Sequence, residues 1–167
     1  LPILGTEESY SLESNDEFVV AITDYKIKQK VVSILKNKNA KFRSVIHPTA
    51  IISEYAIVDT GVIIYPFASI SCDAKVGSFT VVNLGAVIAH DVTVGEYSFI
   101  GSYTNLGGWS TVGNKCYIGS GAVIAQRSIA ESGSKISSNV CVFGKVKTGE
   151  IVMPLRNKKV KGGMLTG

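Results

Sequence analysis

Histidine and cysteine are scarce in this chain of 167 residues, and their scarcity limits its chemistry before any motif is read. Cys72, Cys116 and Cys141 are an odd number of thiols with no CxxC spacing, which argues against a disulfide framework and a thiolate zinc site and fits a reducing compartment. His47 and His90 are the only histidines, too few for a site that coordinates zinc through three imidazoles. No run approaches the roughly 20 consecutive apolar residues that span a bilayer, and the first residues lack a basic stretch followed by an apolar one. The expectation is a cytoplasmic protein without a membrane span. The chain begins at Leu1, which fits a fragment or a processed chain. Charge of one sign is also thin: the net charge is +4, and lysines and arginines are dispersed among acids rather than grouped with aromatics. That makes nucleic acid a poor partner and leaves room for a small anionic ligand.

What is abundant is regularity. Cut into sixes from Val45, the chain runs to residue 146 with a branched aliphatic residue in the second position of sixteen of seventeen hexads; Ala130 is the exception. The sixth position is always Ala, Val, Thr, Ser or Cys. Glycine recurs at the third, in Gly77, Gly95, Gly101, Gly107, Gly113 and Gly119, where a tight turn would favour a residue without Cβ. A helix needs apolar spacing near 3.6, so a period of six predicts short strands with a bend between them. Three hexads per coil would stack residues eighteen apart at about the 4.8 Å strand spacing. The predicted class is all-β, a left-handed parallel β-helix of hexapeptide repeats over residues 45–146, followed by a tail over 147–167.

Residues 1–44 read differently. Glu17 to Ile22 predicts a short buried strand, and Asp24 predicts the N-cap of a helix running to about Lys38, with Ile27, Val31, Ile34 and Leu35 as its apolar stripe. One strand and one helix make a partial α/β unit, joined to the coil at His47-Pro48.

Folding the hexads into columns places His90, Gly108, Gln126 and Gly144 on one corner. Ser102, Ser120 and Ser138 fall on the next, beside Asn83, and Glu96, Asn114 and Ser132 on the third. His90 faces outward next to Asp91. An imidazole that titrates near neutrality can take a proton from an attacking amine or hydroxyl, and a neighbouring carboxylate can orient the ring. Such a pair on a surface is also compatible with an inert scaffold, since a fold does not dictate a function.

The segment NLGAVIAHDVTVGEY followed by Gly107-Gly108 resembles the sugar-nucleotide amine N-acetyltransferases and their sialic acid O-acetyltransferase relatives, within the hexapeptide-repeat acyltransferases. The resemblance implies acetyl-CoA as donor, a nucleotide-sugar acceptor and a homotrimer with cofactor clefts between neighbouring coils. It makes His90 the general base, Asp91 its partner and Asn83 a group near the thioester. Gly108 would offer its backbone amide to the acetyl carbonyl, and Ser120 and Ser138 would line the cofactor cleft. It also implies that residues 1–44 correspond to the later part of a Rossmann-like nucleotide-binding unit, without its Gly-Gly-His loop. Two departures stand out: Phe99 occupies the position where related sequences often carry a second histidine, and Met153-Pro154-Leu155-Arg156 replaces a Gly-x-Pro-Ala close. The basic cluster Arg156, Lys158, Lys159 and Lys161 is the candidate contact for CoA phosphates. Hydroxyl acetylation, for instance of a sialic acid, would use the same base, and a non-catalytic scaffold would need none of this set.

Overall fold

A computed structural model describes residues 3–154. From Val45 to Val142 the chain forms two-residue strands joined by four-residue turns, and each strand pairs in parallel with its neighbour one coil away. The strands gather into three faces of a left-handed β-helix. The first face runs from Val45–Ile46 to Ile151–Val152, the second from Ile51–Ile52 to Cys141–Val142, and the third from Ile57–Val58 to Lys145–Val146.

The hexad pattern explains the interior. Ile64, Ile70, Val76, Val82, Ile88, Val94, Ile100, Leu106, Val112, Ile118, Ile124, Ala130 and Ile136, all in the second position, are almost wholly buried in one continuous column. Full burial of such a side chain stabilises by about 1.5–3 kcal/mol. The sixth-position residues from Val62 to Ser134 fill the space beside them. Polar members of that set bond to the next coil at several rungs: Thr80 Oγ1 donates to Gly95 O at 2.8 Å and accepts from Ser98 N–H at 3.1 Å, and Ser98 Oγ repeats this toward Gly113 O and Cys116 N–H, whereas Ser110 Oγ is buried without a partner.

Three expectations need correction. The left-handed backbone conformation falls at the fifth position, not the third. From Gly61 to Asn139 every fifth-position residue has positive φ, among them Asp91 (59°), Trp109 (56°) and Arg127 (59°). The third-position glycines have a different cause, because a Cβ on Gly119 would stand 2.5 Å from the backbone nitrogen of Ser138 in the next coil. Their role is to admit that backbone. Secondly, the hexad frame ends at Val142. Lys145–Val146 pairs with Ile129–Ala130, a spacing of sixteen, so the turn through Phe143 and Gly144 is two residues short. Gly144 therefore leaves the His90 column and donates its N–H to Ser128 Oγ. The array also continues past residue 146, because Ile151–Val152 pairs with Lys135–Ile136.

The third correction concerns the N-terminal unit. Its first strand, β1 (Glu17–Phe18), is only two residues long and pairs in parallel with β2 (Lys41–Phe42). Between them lies α1 (Tyr25–Asn37), capped as expected by Asp24, whose carboxylate accepts from Lys26 and Ile27 N–H. The buried face of α1, however, is Lys28, Val32 and Leu35, and Ile27 is 56% exposed. The helix is turned toward the fifth-position aromatics of the corner between the third and first faces. Phe79 stacks on Tyr97 there, meets Phe42 edge-on, and offers its carbonyl to Lys28 Nζ at 3.0 Å.

Candidate functional site

The second face separates two groups of candidate residues. Val87–Ile88 leads into the corner that carries His90 and Asp91, and Val81–Val82 leads into the opposite corner with Asn83. The fold assembles His90, Asp91 and Gly108 in one place. His90 Nδ1 lies 2.9 Å from Asp91 Oδ2, with the two side chains 42% and 41% exposed. Gly108 sits directly over the imidazole: a Cβ there would come within 2.7 Å of His90 Cε1 and Nε2. The fit explains glycine at that position, since any side chain would displace the ring.

The fourth-position N–H groups take no part in the backbone ladder. On the corner of Glu96, Asn114 and Ser132 a side chain of the next coil takes it: Glu96 N–H donates to Asn114 Oδ1 and Asn114 N–H to Ser132 Oγ. Among the described residues, no acceptor stands on the N–H of Gly108.

Asn83, Ser120 and Ser138 share the corner between the first and second faces. Asn83 Oδ1 accepts from Leu84 N–H at 2.7 Å, Ser120 and Ser138 are exposed, and Ser120 O accepts from Asn139 N–H. One chain therefore carries two half-constellations at opposite edges of one face, and His90 stands on an open corner. Arg156, Lys158, Lys159 and Lys161 lie outside the described residues.

The fold also brings in two residues that the columns had not singled out. Trp109 meets His90 with ring centroids 4.4 Å apart and planes at 87°, and Arg127 Cζ lies 5.3 Å from the Trp109 ring. The available signal was their spacing of eighteen from Asp91 along the fifth-position column.

Phe99 is placed elsewhere. It stacks on Tyr117 outside the first face and lines a cleft of about 380 Å³ with Thr23, Asp24, Tyr25, Lys115 and Lys135. Cys116 lies in the interior, its thiol pushed up by burial and set beside Ser134. His47 is held by Thr49 at the junction, and among the described residues no three His, Cys, Asp or Glu side chains gather to hold a metal ion. No described helix is long and apolar enough to cross a membrane.

Comparison with known proteins agrees with this architecture. Residues 91–126 match the family model described as bacterial transferase hexapeptide (six repeats). A GDP-perosamine N-acetyltransferase of Escherichia coli O157:H7 is 32% identical over 80 residues, a match covering 48% of this chain and 36% of that protein. The chain thus spans about a third of that relative's length. Among solved structures, a histidine-to-alanine mutant of GDP-perosamine N-acetyl transferase from Caulobacter crescentus, in complex with CoA and GDP-perosamine, superposes with a TM-score of 0.81 at 22% identity, covering 83% of this chain and 66% of that one. The acetyltransferase domain of PglB from Neisseria gonorrhoeae, in complex with acetyl coenzyme A, gives 0.77 at 22% identity over 80% of this chain and 65% of that one. At this identity the superpositions establish a shared fold. The resemblance read from the repeat and from the Asn83 to Gly108 segment is borne out at that level.

Proposed function

We propose that this chain transfers the acetyl group of acetyl-CoA to the amine of a nucleotide-linked amino sugar, in a cytoplasmic route to a surface polysaccharide. The observation that carries the reading is the His90–Asp91 pair with Gly108 packed on its ring. Asp91 accepts from Nδ1–H and so leaves Nε2 as the base. As the amine nitrogen attacks the thioester carbonyl, Nε2 takes the proton that nitrogen must lose. The negative charge that develops on the carbonyl oxygen calls for a fixed donor, and the N–H of Gly108 is the unclaimed one beside the base. Collapse of the tetrahedral intermediate breaks the carbon–sulfur bond. The CoA sulfur leaves with the electron pair and receives a proton from the imidazolium, which returns the base to its starting state.

Asn83, Ser120 and Ser138 are placed to act from a second copy. They lie across the second face from His90, so a neighbouring chain whose serine corner met the histidine corner would complete a cleft for the donor. A homotrimer supplies three such clefts. Arg156, Lys158 and Lys159 are then the groups proposed to meet the CoA phosphates. The names of the relatives favour an amine over the hydroxyl of a sialic acid.

The test is release of free CoA from acetyl-CoA with a panel of GDP-, UDP- and TDP-linked amino sugars. One such amine is expected to drive release, and His90→Ala to lower turnover by about 10²–10⁴-fold while acetyl-CoA still binds. Wild-type turnover in His90→Ala would overturn the reading.

A further inference from the structure

An imidazole on a surface corner has a loose final torsion, because rotation about a bond to an sp² ring has broad, roughly two-fold minima. Asp91 alone cannot fix it, since the carboxylate is itself 41% exposed. The remaining restraint comes from the coil above. Gly108 closes one side of the ring, and Trp109, next in sequence, closes another at 4.4 Å with perpendicular planes, an arrangement aromatic rings favour. Trp109 is in turn anchored twice. Its backbone N–H donates to the backbone carbonyl of His90 at 3.1 Å, and the Arg127 guanidinium lies 5.3 Å from its ring, within cation–π range. Asp91, Trp109 and Arg127 occupy the fifth position of three successive coils, all in the left-handed conformation, so their backbones are locked in one register.

We propose that Trp109, braced by Arg127, is a positioning residue that holds the His90 ring with Nε2 turned toward the acceptor. This rests on His90 being the base.

Trp109 is the chain's single tryptophan, so tryptophan emission reports on its surroundings, His90 among them. A histidine ring in contact with an indole alters its emission, and the two ring centroids here are 4.4 Å apart. Removing that ring should therefore change the emission of the chain without ligand. His90→Gln should produce that change and His47→Gln should not.

In the CoA-release assay, Trp109→Ala should lower kcat by about 10–100-fold, the scale of a misplaced catalytic group. The acetyl-CoA Kd should stay unchanged, and Trp109→Phe, which keeps a ring against the imidazole, should recover most of the rate. Emission unchanged in His90→Gln, or a kcat for Trp109→Ala within about twofold of wild type, would overturn the proposal. Loss of activity in His90→Ala alongside a normal Trp109→Ala would overturn this proposal alone. Wild-type activity in His90→Ala would remove the base and the positioning role together.

Discussion

Gly108 and Gly119 are both glycines in hexad turns, yet the structure gives them different duties. A Cβ on Gly119 would meet the backbone of Ser138, which cannot yield without opening the coil. A Cβ on Gly108 would meet only the movable ring of His90. Gly119→Ala is therefore expected to lower the Tm by several degrees, the scale set by a loss of 1–3 kcal/mol on overpacking. Gly108→Ala should leave the Tm close to wild type while reducing turnover about as much as His90→Ala does. Thermal unfolding followed by circular dichroism, run beside the CoA-release assay, separates the two. His90, Asp91 and Gly108 were legible in the sequence because residues eighteen apart stack, so counting alone put Gly108 over His90. Trp109 was not legible as a neighbour of the imidazole. Its contact depends on a fifth-position side chain leaning back across the corner onto a fourth-position ring, and column counting does not supply that direction.

At the scale of single elements, α1 shows where pattern reading stopped. Its cap was legible from Asp24, because a side-chain acceptor ahead of free N–H groups needs no tertiary context. Its buried face was not, because Lys28 lies on it, and a lysine does not read as a core residue. The ammonium is buried against Phe79 O, and burial pushes its pKa down to about 8 from 10.5. Between those values the folded state binds fewer protons than the unfolded one, so stability rises with pH across that interval, and below it the desolvation penalty is fully present. Thermal melts from about pH 7.5 to pH 9.5, short of the tyrosine range, should show the Tm rising. Lys28→Met should flatten the rise, and an equal slope in the two proteins would show that Lys28 is not its source. The two-residue shortening after Val142 also escaped the sequence. Val146 satisfies the sixth position of the old frame as well as the second position of the new one, so no apolar residue fell out of place to expose the slip.

For the whole molecule, the coil was legible in full outline because one period governs most of the chain. Association is a separate matter, decided by outward residues that the period leaves unconstrained. Ile51, Ile57, Val87 and Ile129 are exposed on the second and third faces, a distribution that favours burial against other copies. Light scattering at micromolar concentration should give a mass three times the 17.8 kDa of the chain. Mixing His90→Ala and Asn83→Ala proteins under conditions of subunit exchange should restore part of the activity, because some clefts then combine an intact histidine corner with an intact asparagine corner. A monomer, or mixtures as inactive as their parents, would place the site within one chain.

The shortened turn at Phe143 and Gly144 has a consequence for how such a chain can change. That turn absorbs a loss of two residues and still points Val146 inward, and up to Val142 a block of eighteen would add one rung and preserve all three faces. The distance from the base to either end of the molecule is thus quantised in whole rungs of about 4.8 Å. The one departure from that count lies beyond His90, Gly108 and Trp109, where a shift of phase leaves the spacing among them untouched.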